Sequence, residues 1–410
     1  MTGAPALRAG PALPPGEFRL LQRHAIFEAC KWDPQVGDTA VLADFPLVVA
    51  RAAWEALARQ AETLAAETLA AESELLSRPD LQRRLGLPWV LRRALTRAGA
   101  AGASPGIARF MRFDFHPVDD GWRLSEVNSD VPGGWNEASG FARLMGEHFP
   151  GSAPAGDPAG RLADAVRQAT GPGAHVGLLH ATAYADDHQV MRYLGRELEA
   201  RGGRPALLSP AQLEWRDGRA FVLGDGGGEL QALLRFFPAE WLPNLPRRCD
   251  WRRHFHGALT PAANPGSALL SQSKRLPLVW SELRTPMPAW KALLPETRDP
   301  REVRWPDDPE WVLKPVLGRV GEGVGLRGAT PAAEWKRIER DVRRHPACWI
   351  AQRRFAARSL GGPRGPFYAC LGVYVVDGRV AGAYGRVSEG PLTDMHAADA
   401  AVLVDPEPRP

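Results

Sequence analysis

Apolar positions in the first hundred residues recur at intervals of three and four. Trp54, Leu57, Ala61, Leu64, Thr68, Ala71 and Leu75 form one stripe, the period of a helix with one buried side. Glu55, Glu62 and Glu74 mark an acidic opposite face. Residues 17 to 100 are therefore expected to be mainly helical, after a flexible start over residues 1 to 16. The stripe suits a helix packed on the protein's own core better than a short coiled coil.

Between 107 and 128 the period drops to two, the mark of strands. A helix is expected over Glu137 to Phe149, and the Gly- and Pro-rich stretch 150 to 160 reads as a linker. Val176–His180, a helix over Asp186–Arg201, Pro205–Leu208 and Ala232–Phe237 follow as a βαβ pattern, with a turn at Asp217-Gly218. The first turn of this unit, His180-Ala181-Thr182, lacks GxGxxG, which argues against a standard dinucleotide site. From 265 onward the chain reads as α+β: a helical segment beginning near Ser273, a strand over Trp311–Lys314, a helix over Pro331–Arg344, then strands at Trp349–Phe355, Phe367–Val376 and Arg379–Arg386. Asp377-Gly378 joins the last two as a two-residue hairpin turn.

Composition narrows the function classes. The 410 residues are 44% hydrophobic and 24% charged, an ordinary mix for a soluble globular chain. Basic residues number 51 against 47 acidic, a balance too even to argue for nucleic acid. Five of the basic residues are lysine: Lys31, Lys274, Lys291, Lys314 and Lys336. In a chain so biased toward arginine, each retained lysine is more informative. Cys30, Cys249, Cys348 and Cys370 form no CxxC and read as buried small residues. The N-terminus has no signal-type apolar run, and Val41–Ala53 is broken by Asp44, Pro46 and Arg51. The expected setting is cytoplasmic, with no membrane partner.

Two segments carry candidate chemistry. In the hairpin 109–128, Asp119-Asp120-Gly121 is expected to make a three-residue loop, with Val118 opposite Trp122, Asp114 opposite Glu126 and Arg112 opposite Asn128. Directly opposed carboxylates repel. Either a divalent cation such as Mg²⁺, which prefers oxygen ligands, or Arg112 alone would offset this. The second segment, Trp311-Val-Leu-Lys314-Pro, enters a loop with Gly318, Gly321, Gly323 and Gly325. Its amides could cradle phosphate beside the lysine, or the lysine could simply snorkel. No GK[ST] occurs, so it is not a Walker A loop.

In combination these residues resemble the ATP-grasp ligases, and within them the synthetase part of glutathionylspermidine synthase. The anchors are Lys31-Trp-Asp-Pro34, Arg112-x-Asp114, Glu126-x-Asn128, Ser273-Lys274, Leu313-Lys314-Pro315 with Gly318-Arg319, Gln352, Gly372-Val-Tyr374, and Ala381-Gly-Ala-Tyr-Gly-Arg386. The resemblance implies an ATP-grasp fold in permuted order, with a small Rossmann-like pre-ATP-grasp domain. The expected division is a mainly helical segment 1–105, the metal-binding hairpin and following helix 106–150, the Rossmann-like domain 161–262, and the nucleotide-binding lobe 263–410. It further implies ATP and Mg²⁺ as cofactors. Asp114, Glu126 and Asn128 are then metal ligands, Lys274, Lys314, Gly318, Arg319 and Gln352 meet ATP, and Arg112 and Arg386 act on the transferring phosphate. The implied activity is an acid–amine ligase joining a small-molecule carboxylate, a peptide or amino acid, to an amine through an acyl phosphate. The alternatives are a nucleotide-binding protein without ligase activity and, behind it, a metal-dependent phosphohydrolase. Members with the name activity carry hydroxyl residues soon after Asn-x-Asp; here Val131-Pro-Gly-Gly134 follows.

Overall fold

The computed structural model describes residues 6–33, 35–36, 39–224, 227–318, 323–393 and 396–406. The chain opens with β1 (Leu7–Ala9), α1 (Pro15–Glu28), β2 (Leu47–Val49), α2 (Arg51–Leu76) and α3 (Trp89–Ala101). The hairpin β3 (Phe110–Val118) and β4 (Gly121–Asn128) follows, then α4 (Pro158–Thr170). Next come β5 (His175–Leu179), α5 (Ala185–Ala200), β6 (Arg204–Leu208), β7 (Ala232–Arg235) and β8 (Ala262–Ala263). The C-terminal part holds β9 (Trp311–Pro315), α6 (Ala332–Arg344), β10 (Trp349–Arg353), β11 (Gly365–Val376), β12 (Arg379–Ser388) and β13 (Ala398–Val404).

A nine-stranded mixed sheet organises the molecule, in the order β1-β2-β13-β12-β11-β3-β4, with Leu360–Gly362 on β11 and Ala153–Pro154 on β13. Strands β2 and β13 are parallel, so the two ends of the chain meet in one sheet. One face of this sheet is apolar. Met111, Phe113, Phe115, Leu371, Val373 and Val375 pack on Leu57, Ala61, Leu64 and Ala65 of α2. The predicted stripe is thus the core contact, each fully buried leucine contributing about 1.5–3 kcal/mol. Because side chains alternate along strands, the residues between these six face the other way. That second face carries Arg112, Asp114, Glu126 and Asn128.

Strands β8-β7-β5-β6 form a separate parallel sheet, the Rossmann-like unit expected from the sequence. β10 lies between β9 and Thr297–Arg298 in a three-stranded antiparallel sheet, to which α6 adds Ile338 and Val342. The architecture is therefore mixed α and β. Among the described residues, no helix is long and apolar enough to cross a membrane.

Several local expectations are corrected. The start is not loose from residue 6 onward: Leu7 is buried on β2, and Pro15 supplies the first helical position, where its missing N–H costs nothing. The helical stretch 17–100 is interrupted by β2, whose Leu-Val-Val is fully buried between sheet neighbours. The stretch 150–160 is tied down, since Leu403 and Val404 pair with Pro154 and Ala153, and Pro158 already begins α4. The helical segment expected to begin near Ser273 is a 3-10 helix over Leu276–Glu282, preceded by an α-helical turn that ends at Gln272. Of the cysteines, Cys348 is exposed and the other three are buried. On the acidic face of α2, Glu74 accepts hydrogen bonds from the amides of Arg284 and Thr285, and Glu62 from that of Val380.

Candidate active site

The hairpin places its four polar side chains as expected, by a different route. Asp114 lies opposite Glu126 and Arg112 opposite Asn128. Near the turn, however, Val118 pairs with Gly121 and Pro117 with Trp122, so the loop has two residues rather than three. A bulge at Ser125 shifts the register by one and restores the predicted pairs. The bulge also presents the Ser125 carbonyl to Lys314 Nζ, 3.1 Å away.

Neighbouring strands extend this polar face. Gly372 and Tyr374 of β11 oppose Asp114 and Arg112, Tyr384 of β12 opposes Gly372, and Arg386 opposes both Cys370 and Asp399. Arg112 donates from Nε and Nη2 to the two oxygens of Asp114, at 2.7 and 2.9 Å, and from Nη1 to Gly133 O at 2.7 Å. Its guanidinium sits over the Tyr384 ring, 5.1 Å from the centroid. Gly372 makes this possible, because a Cβ there would come within 2.7 Å of Arg112 Cδ.

Two lysines approach Glu126 from the C-terminal part. Lys274 Nζ lies 3.1 Å from Glu126 Oε2 and donates to Gly318 O at 2.8 Å. Lys314 is buried, donating to Gln352 Oε1 at 2.8 Å, while Gln352 Nε2 donates to Thr297 Oγ1 at 3.1 Å. Burial alone would raise the Glu126 carboxyl, but Lys274 and Lys314 outweigh it and hold the group at about 2. Burial brings the Lys314 ammonium down to about 8, against the pull of Glu126. Burial likewise pushes the Asp114 carboxyl up, although Arg112 opposes it.

Arg112, Asp114, Glu126, Asn128, Lys314, Gln352 and Arg386 all line one cavity of about 540 Å³, a volume suited to a small-molecule ligand. Lys274 lines a smaller recess beside it, sharing Glu126 and Gln352. Gly318 contributes its carbonyl to Lys274. Arg319 lies outside the described residues, as does Gly321.

The cavity also holds groups to which the sequence reading gave no role. Lys31 is buried, 2.8 Å from Glu137 Oε1 and 3.4 Å from Asp399 Oδ2. Burial pushes the Asp399 carboxyl up to about 6 despite Lys31. Asp399 was legible as an acid inside an otherwise apolar strand, Ala-Asp-Ala-Ala-Val-Leu-Val. Glu137 was hidden by its place in a helix, a π-helical turn over Glu137–Phe141.

Of the two neutralisers weighed for the opposed acids, Arg112 holds Asp114; Glu126 is held by a third group, Lys274, which lies outside the hairpin. Among the described residues no three His, Cys, Asp or Glu side chains gather as a metal cluster. The donor set is instead two carboxylates and an amide, all hard donors on one face, which fits Mg²⁺ chemistry. Asn128 Nδ2 faces Asp114 Oδ2 at 3.1 Å, so its amide would turn to offer oxygen to an ion.

No curated protein gives a sequence match. Among solved structures, a glutathione synthetase-like effector from Globodera pallida, in apo form, matches with TM-score 0.60 at 13% identity, over 94% of this chain and 97% of that one. A putative γ-glutamylcysteine synthetase from Methylobacillus flagellatus KT aligns with TM-score 0.43 at 13% identity, over 81% of this chain and 88% of that one. At such identity the first speaks for a shared fold alone. The model of the glutathionylspermidine synthase preATP-grasp family matches residues 31–404, from the buried Lys31 to the last residue of β13. With nearly its whole length matched, the chain belongs to the glutathionylspermidine synthase family.

Proposed function

We propose that this protein is an ATP- and Mg²⁺-dependent acid–amine ligase, joining a small-molecule carboxylate to an amine through an acyl phosphate. The observation that carries this reading is the convergence on one cavity of residues from three parts of the chain: Arg112, Asp114, Glu126 and Asn128 from the hairpin, Lys314 and Gln352 from the three-stranded sheet, and Arg386 from β12.

Phosphoryl transfer asks for charge neutralisation and positioning rather than a protein nucleophile. Lys274 and Lys314 supply fixed positive charge beside Glu126, and Gln352 holds the Lys314 ammonium in place. Asp114, Glu126 and Asn128 would hold the metal ion. Bound there, the ion supplies neutralisation of phosphate charge. Arg112 and Arg386 face the same space and stabilise charge that develops as the phosphoryl group moves. The carboxylate oxygen bonds to phosphorus and ADP leaves; the amine nitrogen then bonds to the acyl carbon and phosphate leaves.

Hydroxylamine tests the reading, since it replaces the amine. Protein, Mg·ATP, a pool of amino acids and peptides that includes glutathione, and hydroxylamine should yield a hydroxamate with one ADP per product. Bound Mg·ATP without hydroxamate from any carboxylate would instead support a nucleotide-binding protein without ligase activity.

A further inference from the structure

A second cavity, of about 750 Å³, adjoins the Lys274 recess at Pro277 and Leu294 and lies between Arg83–Gly86, Pro277–Ser281 and Lys291–Glu302. Six cationic side chains line it against three acidic ones, Glu296, Asp299 and Glu302. The charges are not equally engaged. Arg275 and Arg301 share Asp299, Arg298 pairs with Glu296, and Arg84 with Glu282 outside the cavity. Among the described residues, neither Arg83 nor Lys291 has an ion-pair partner, and both are exposed.

Two further observations are independent of the charge count. Lys291 is one of five lysines in a chain that otherwise uses arginine. Lys31, Lys274 and Lys314 each have an acidic or polar partner at the first site and Lys336 is exposed on α6, whereas Lys291 lines the second cavity. Trp280, a partly buried residue, adds an aromatic wall to the second cavity.

We propose that this cavity is a second binding site, for a small organic polyanion carrying carboxylate or phosphate groups. Lys291 and Arg83 meet its charge. Arg301, already half committed to Asp299, has donors to spare, since a guanidinium carries five. The volume falls within the ordinary range of small-molecule sites. Nothing in this proposal depends on the ligase reading. The wall residue Thr297 accepts from Gln352, which in turn accepts from Lys314, so the two cavities back onto one hydrogen-bonded chain without sharing a charged lining residue.

Calorimetric titration at low ionic strength, without nucleotide or metal, tests it with two separate probes: tricarballylate for the carboxylate class and inorganic pyrophosphate for the phosphate class. At least one should bind saturably at a site that persists in Lys314→Met, which separates it from phosphate binding in the first cavity. Lys291→Ala and Arg83→Ala should each weaken that binding at least tenfold, Lys291→Arg should retain it within about threefold, and Lys314→Met should leave it unchanged. Both alanine positions are exposed, so the variants should fold as the parent does. Absence of saturable binding of either anion, equal affinity in Lys291→Ala, or loss in Lys314→Met with retention in Lys291→Ala would each overturn the proposal.

Discussion

Arg112 reaches two residues along its own strand to hold both carboxylate oxygens of Asp114, at 2.7 and 2.9 Å. The pair sits on the polar face of the sheet, and room for it depends on the neighbouring strand. A Cβ at Gly372 would meet Arg112 Cδ at 2.7 Å and Nε at 2.9 Å. Gly372→Ala should therefore displace the guanidinium, costing about 1–3 kcal/mol as overpacking and sharply reducing ATP turnover. Gly361→Ala, whose added methyl meets nothing within 4 Å, is the control and should be silent. Urea unfolding and turnover measured on both variants decide the matter; a fully active Gly372→Ala would show that Arg112 can lie elsewhere at no loss.

Lys314 gives a second test. It is buried and hydrogen-bonded to Gln352 and to the bulge carbonyl of Ser125, so it does not snorkel to solvent. Lys314→Met keeps the length and removes the charge. Titration calorimetry of Mg·ATP should show at least a tenfold loss of affinity, roughly 1.4 kcal/mol or more. Lys336 is exposed on α6, and Lys336→Met should leave both affinity and stability within about 0.5 kcal/mol of the parent. Equal affinities for the two variants would remove Lys314 from the nucleotide site.

The sequence announced the parts of this site that obey a local period. Alternation in 107–128 predicted which four side chains share a face, and the helical stripe predicted the support beneath them. In the loop a bulge and a shorter turn offset one another, so the expected Val118–Trp122 pairing fails while Asp114–Glu126 holds. Longer-range arrangements were not legible. Nothing local tells that β2 and β13 pair in parallel, or that Leu403 draws the 150–160 stretch onto the sheet. Lys274 was placed by resemblance, yet its contact with Glu126 spans 148 positions and has no periodic signature.

Asp299 predicts an acid-dependent stability. It accepts from Arg275 and from both Nε and Nη2 of Arg301, and its side chain is only 6% exposed. Burial raises the carboxyl, but these arginines and the Arg301 amide hold it well below the usual range. A depressed folded-state value means the contribution is fully present above the unfolded value near 3.9 and fades as pH falls below it. Asp299→Asn should cost about 3–5 kcal/mol at pH 7, since it leaves Arg275 buried without its counter-charge. The gap between parent and variant should narrow from pH 4 to pH 2. A gap constant over that range, read from urea midpoints, would mean the ion pair contributes nothing through its charge.

Glu126→Gln sets two effects of opposite sign against each other. Removing one of the opposed carboxylates relieves repulsion from Asp114, by roughly 0.2–1 kcal/mol for a cross-strand pair. It also takes the counter-charge from Lys274, which is 9% exposed, at roughly 1–3 kcal/mol for a buried group left poorly paired. The second effect is the larger, so the metal-free variant should be modestly less stable than the parent while keeping its fold. Added Mg²⁺ separates this from the metal assignment. If Asp114, Glu126 and Asn128 hold the ion, Mg²⁺ binds the folded chain and raises the parent's unfolding midpoint, more so as its concentration passes the dissociation constant. The variant, with a neutral amide in place of one ligand charge, should show little or no rise and no Mg²⁺-dependent ATP turnover. Equal Mg²⁺ responses in parent and Glu126→Gln would sink the metal assignment and leave Glu126 as the ion-pair partner of Lys274.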